Sequence, residues 1–240
     1  CLYQDGEAKQ VQYIKAYKQY VERWAKLYPR KGEGLKPDYT GFHHNFFYGA
    51  RYVFPAYNSL SFTINKLHES SFQVNEKAKE VIKKSMLIGR VIAGGKDMPV
   101  SLAGRGSILT NIGSIISGSN FLAQSYTPAD KQLAELSNYY QENSFPEYGK
   151  ETNPNGFWQF NFSPLGVYRQ ENWVADIKGF NNVFIGSEIY YDAGRFARYY
   201  SYGAVEVIYE GGNSESGKVE NGWDWNIIPG TTTIHLPFDK

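Results

Sequence analysis

The stretch Asn143-Ser-Phe-Pro-Glu-Tyr-Gly-Lys-Glu-Thr-Asn-Pro-Asn-Gly156, with Phe157-Trp-Gln-Phe-Asn-Phe162 after it, is where the pattern of this 240-residue chain changes. Pro146, Pro154 and the clustered Gly and Asn residues favour turns over continued helix. Beyond them Phe157, Gln159 and Asn161 fall on one side and Trp158, Phe160 and Phe162 on the other, the period of two that a strand requires. Upstream the apolar period is helical and downstream it is extended, so the expectation is α+β: helices over residues 1–150 and antiparallel strands over 151–240.

On the helical side, Val11, Ile14, Tyr17, Val21 and Trp24 recur at three- and four-residue spacing and predict an amphipathic helix over Ala8–Tyr28. Pro29 and Gly32-Glu33-Gly34 end it, and Leu35–Tyr52 reads as a long irregular segment. Further helices are predicted over Pro55–Glu69, Val74–Ile92, Ile108–Ala123 and Ala129–Glu142, with Gly94-Gly95 closing the second of these and Thr127-Pro128 opening the last. On the strand side the expectation is Gly166–Gln170, Trp173–Lys178, Asn182–Tyr191, Gly203–Glu210 and Thr231–Leu236.

Composition narrows the function. Lys plus Arg number 25 against 24 Asp plus Glu, a net charge of +1, which gives no basic footprint for nucleic acid. No apolar run approaches the ~20 residues that a bilayer-spanning helix needs. The single cysteine, Cys1, cannot pair within the chain, and a fragment boundary there is expected rather than a lipid-bearing residue. Aromatic residues reach 17%, and Tyr and Trp present a flat apolar face with a polar tip that suits a sugar ring as well as a core.

His43 and His44 adjoin a tyrosine-rich run holding Tyr48 and Tyr52, and Arg105 lies between two glycines in a loop. Histidine and tyrosine can exchange protons with a substrate, and a guanidinium beside backbone without side chains can pair with a carboxylate. On spacing alone the signal is weak, and the histidines read first as an exposed or capping pair in a loop. Glu188 sits in the expected strand with its face undecided. No metal site is expected, because His68 and His235 lie far away and no cluster of thiolates exists. A calcium or magnesium ion held by loop carboxylates is left open by the sequence, in which Asp192 or Glu210 alone makes no ligand set.

Taken together, Lys36-Pro-Asp-Tyr-Thr-Gly-Phe-His-His44, Tyr52-Val-Phe-Pro-Ala56, Leu102-Ala-Gly-Arg105, Ser187-Glu-Ile-Tyr190, Arg195-Phe-Ala-Arg-Tyr199, Gly222-Trp-Asp-Trp-Asn226 and Pro229-Gly-Thr-Thr-Thr-Ile-His-Leu-Pro237 make the chain resemble the family 8 polysaccharide lyases, most of all the chondroitin sulfate ABC lyases. The resemblance spans about residue 35 to the end. It implies an incomplete (α/α) helical toroid joined to the first strands of an antiparallel β-sandwich. It further implies β-elimination of glycosaminoglycans such as chondroitin and dermatan sulfate, and hyaluronan as a further candidate, by a secreted or periplasmic bacterial enzyme. The other readings are a lyase for another uronate such as xanthan, and a non-catalytic polysaccharide-binding relative.

Carried over residue by residue, the resemblance implies His44, Tyr52, Arg105 and Glu188 as catalytic residues. His43, Asn45, Tyr48, Arg195 and Trp223 are the candidates for contact with the polymer. The chemistry so implied requires no cofactor.

Overall fold

The computed structural model describes residues 6–106, 110–188, 204–215, 217, 222–225 and 227. Five α-helices come first: α1 Glu7–Trp24, α2 Phe54–Leu67, α3 Glu76–Ile92, α4 Gly113–Ala123 and α5 Lys131–Tyr140. α3 buries Ala78, Val81, Ile82, Ser85, Met86 and Gly89, the stripe its spacing predicts, and Asn75 caps it by accepting the Ala78 N–H. Small residues let α4 approach α2 and α3 closely: a Cβ on Gly118 would come within 2.4 Å of the Met86 side chain. Of the expected apolar face of α1 only Val21 is buried, and Tyr17 and Tyr20 are exposed.

Several boundaries differ from those expected. α1 ends at Trp24, four residues before Tyr28, because Leu27 and Tyr28 pair with Leu35 instead. α5 opens at Lys131 with Asp130, not Thr127, accepting the Leu133 N–H. α4 starts at Gly113. α3 ends at Ile92, as expected, but its cap is Ala93 in extended backbone and not the glycine pair.

The segment expected to be irregular holds a small antiparallel sheet, β1 Gly34–Leu35, β2 Gly41–His43 and β3 Phe46–Phe47, followed by a π-helical turn over Gly49–Val53. Phe42, Phe46 and Phe47 are buried beneath it, and apolar anchoring of this kind lets short strands persist.

A four-stranded antiparallel sheet follows: β4 Gly156–Phe160, β5 Leu165–Gln170, β6 Trp173–Lys178 and β7 Ala204–Ile208. β4 stops at Phe160, so Asn161 and Phe162 belong to the turn, where the Phe162 N–H donates to Asp38 and Ser163 meets Thr40. Residues 182–188 are not a strand; Asn181 folds them back by accepting the Val183 and Phe184 N–H groups. Residues 189–191, Arg195 and the expected strand Thr231–Leu236 lie outside the described residues.

The inner face of this sheet carries Leu165, Val167 and Arg169 on β5, Val174, Asp176 and Lys178 on β6, and Ala204, Glu206 and Ile208 on β7. Leu165, Val167, Val174 and Ile208 join the core that the helices form. A Cβ on Gly94 would sit 2.6 Å from Ile208, so the chain leaving α3 lies directly on the sheet. Among the described residues there are helices and one antiparallel sheet of this size; a second, facing sheet is not among them.

Candidate functional site

β2 and β3 are joined by a two-residue turn, His44–Asn45, with φ of 54° and 63°. Positive φ at both central residues matches the right-handed twist of a hairpin, and His and Asn tolerate it better than most side chains. His44 therefore stands exposed at the tip, with Phe42, Phe46 and Phe47 fixing the strands behind it.

The π-helical turn comes next and sets Tyr48 and Tyr52 edge to face, ring centroids 4.8 Å apart. Glycine is required at position 104, whose φ is +59° and where a Cβ would lie 2.2 Å from the Tyr48 ring. With only hydrogen there, the Tyr48 hydroxyl reaches the next residue and accepts the Arg105 backbone N–H at 3.0 Å.

Glu188 is the meeting point. Tyr48 Oη donates to its Oε2 at 3.1 Å, Arg105 Nη1 donates to its Oε1 at 3.4 Å, and His44 Nε2 lies 3.8 Å from that same oxygen. Arg105 Nη2 donates to Tyr52 Oη at 2.7 Å, which orients the phenol oxygen and places positive charge beside it. The histidine side chain is 47% exposed and that of Glu188 17%, so the acid is recessed and the imidazole faces the opening. Burial, the largest influence, pushes the Tyr48 phenol up to about 12, and it therefore stays a donor through the neutral range.

Glu33 completes the rim. Its Oε2 lies 2.9 Å from His43 Nδ1 and its Oε1 accepts the His44 backbone N–H at 2.7 Å. The His43 ring lies between those of His44 and Tyr52, with centroids 4.2 and 4.3 Å away. A pocket of about 460 Å³ opens beside them, lined by Trp24, Glu33, Phe42, His43, Tyr52 and Tyr57 among others.

The structure thus brings His44, Tyr52, Arg105 and Glu188 together from a hairpin tip, a π-helical turn, a 3₁₀ turn and the segment after β6. It places Tyr48 elsewhere than expected: a fully buried ring offers no face to a sugar, and Tyr48 instead joins Arg105 to Glu188. Asn45 shapes the turn. Trp223 lies in a separate turn with its indole donating to the Ile227 carbonyl, and Arg195 lies outside the described residues.

Sequence reasoning missed Glu33, which reads only as part of a helix-ending glycine pair. It also missed Lys178 and Glu206, although their signal was present as charges at inward positions of alternating strands. Among the described residues no group of three or more His, Cys, Asp and Glu side chains could hold a metal ion.

The chain is 34% identical over 221 residues to a chondroitin sulfate ABC exolyase of Proteus vulgaris, covering 86% of this chain and 22% of that protein. It is 30% identical over 247 residues to a chondroitin sulfate ABC endolyase of the same organism, covering 98% and 24%. The chain spans about a quarter of the length of these relatives. Among solved structures, a Paenibacillus xanthan lyase superimposes with a TM-score of 0.77 at 15% identity, over 93% of this chain and 24% of that one. A Streptomyces coelicolor A3 chondroitin AC lyase does so with 0.74 at 14%, over 96% and 37%. The family model described as "Lyase, catalytic" matches residues 1–134, so the chain belongs to that lyase family and is related to the chondroitin lyases.

Proposed function

We propose that the protein containing this chain cleaves uronic-acid-containing glycosaminoglycans by β-elimination, with chondroitin and dermatan sulfate as the leading substrates. The observation that carries this reading is the bridge made by Arg105, whose guanidinium donates to the Tyr52 hydroxyl and to Glu188 while His44 faces the same carboxylate. The helices and the antiparallel sheet would then be parts of a helical toroid and a β-sandwich, and the pocket beside Tyr52 part of the cleft between them.

In the elimination, the C5–H bond of the uronate breaks and its electron pair forms the C4–C5 double bond. The C4–O bond breaks, and the departing oxygen takes a proton. The obstacle is the adjacent carboxylate, because charge developing next to existing charge is costly. His44, at the exposed hairpin tip, is placed to hydrogen-bond that carboxylate, and Arg105 supplies positive field in a partly buried site. Tyr52 takes the C5 proton or gives one to the departing O4, and can do both where the two lie on the same side of the ring. For the epimer whose proton faces the other way, His44 is the base. Glu188 holds Arg105 and, through Tyr48, the loop that carries it. The identity to chondroitin sulfate ABC lyases favours sulfated chondroitins over xanthan. Substrates of this kind lie outside the cell, and a secreted or periplasmic location follows for the same protein.

The test is ultraviolet absorbance of chondroitin sulfate incubated with the full-length polypeptide that carries this sequence. Elimination creates a conjugated enoate and hydrolysis does not. Tyr52→Phe should lower the rate by about 10²- to 10⁴-fold, the usual share of general acid–base catalysis. Binding without a rise in absorbance on any uronate polymer would replace the lyase reading with that of a carbohydrate-binding relative.

A further inference from the structure

Two loops must meet for Arg105 to touch Glu188, and both are held by one side chain that does not belong to the site. Lys178, the last residue of β6, is 3% exposed. Its ammonium donates to the Ser101 carbonyl at 2.6 Å, in the turn that leads to Arg105, and to the Gly186 carbonyl, two residues before Glu188. Glu206, on the neighbouring strand β7 and 1% exposed, grips the same turn from its other side. Its carboxylate oxygens accept the Val100 and Ser101 N–H groups at 3.0 and 2.8 Å.

Such groups are expensive to bury and are retained where their hydrogen bonds accomplish something that an apolar residue cannot. Here the neighbours at inward positions, Val174, Ala204 and Ile208, show that the face accepts apolar side chains. An apolar residue at 178 would leave the Ser101 and Gly186 carbonyls without their donor.

We propose that Lys178, supported by Glu206, is a positioning residue: the Lys178 ammonium ties the backbone of the Arg105 loop to that of the Glu188 loop and so sets the distance between the Arg105 and Glu188 side chains. Its consequence for turnover rests on the lyase reading above; its consequence for the two loops does not. Burial pushes the Lys178 ammonium down to about 8, against the pull of Glu206 and Asp176, as expected for a charge kept within the protein.

The experiment uses Lys178→Met and Glu206→Gln in the full-length polypeptide, with Arg169→Met, a buried cation elsewhere on the same sheet face, as the comparison. Hydrogen exchange of peptides covering residues 98–106 and 184–188 is measured alongside elimination kinetics on chondroitin sulfate. Lys178→Met should speed exchange in both segments together, tenfold or more, and lower kcat at least tenfold with KM within about twofold, because binding surfaces remain while the Arg105–Glu188 contact loosens. Glu206→Gln should loosen residues 98–106 more than 184–188. Wild-type exchange in either segment of Lys178→Met overturns the proposal, as does wild-type kcat, or the same paired loosening in Arg169→Met. If the wild type eliminates nothing from any polymer, the lyase reading fails and the exchange data still decide whether Lys178 ties the loops. If Lys178→Met does not fold, the same exchange and kinetic comparison is decided on Glu206→Gln.

Discussion

Arg169 and Lys178 occupy the same inner face of the β5–β6–β7 sheet, both buried, both donating to backbone carbonyls, and they serve different ends of the molecule. Arg169 Nη1 donates to the carbonyls of Arg90, Val91 and Ala93 at 3.3, 2.9 and 2.5 Å, closing the C-terminus of α3, where carbonyls have no partner within the helix. Lys178 donates to the carbonyl of Ser101, in the short 3₁₀ turn Val100–Leu102, and to that of Gly186, which lies in neither helix nor strand. At the first end the sheet completes a long helix; at the second it holds a short 3₁₀ turn and a loop, the segments that present Arg105 and Glu188. Buried charge therefore marks two kinds of joint, and only the partner atoms distinguish them.

The sharpest separation of the two ends should come from Arg105→Gln. Losing the donor to Tyr52 and Glu188 should lower kcat by about 10²- to 10³-fold, roughly 3 to 4 kcal/mol of transition-state stabilisation, with little change in the unfolding midpoint. Arg169→Met should do the opposite, lowering stability in urea by about 3 kcal/mol because buried carbonyls lose their donor, while kcat per folded molecule stays within twofold. If Arg169→Met instead slows turnover of the folded fraction, the two ends are not independent.

Gly104→Ala should cost about 2 kcal/mol in stability through its positive φ and the contact with Tyr48, and should also reduce kcat, because moving the Tyr48 ring moves Arg105. Activity retained with only the stability loss would show that Tyr48 does not transmit position.

A pH series probes the buried lysine. Its folded pKa lies below the unfolded one, so between about 8 and 10.5 the unfolded chain binds more protons and this group makes stability rise with pH. The stability of the wild type relative to Lys178→Met should climb over that interval by at most about 1.4 kcal/mol per unit, the raised tyrosines cancelling in the difference. A flat difference would mean that Lys178 keeps an ordinary pKa.

The smallest effect is expected far from both joints. Asp130→Ala removes the N-cap of α5 and should lower stability by about 1 kcal/mol with unchanged kinetics, measured by urea unfolding and the same absorbance assay.

How far the site could be read from the sequence differs by element. α3 and β5–β6 were readable because each buries one face, and burial of one face imposes a period on the sequence. The β1–β3 sheet was not, since strands of two or three residues are too short to show a period, and their pairing depends on the Phe side chains beneath them. Residues 182–188 were expected to be a strand from their composition, yet Asn181 turns the chain with its side-chain oxygen.

By itself the sequence determined the change from helices to strands near residue 150, the inward face of α3 and, through its resemblance to a known family, which four side chains to watch. Only the tertiary structure decided that those four meet around Glu188, that Tyr48 is a buried link rather than a sugar platform, and that Lys178 and Glu206 hold the loops concerned. The physical reason is that periodicity records contact with a core, which is local in sequence. Hydrogen bonds between Arg105 and Glu188, 83 residues apart, leave no period behind.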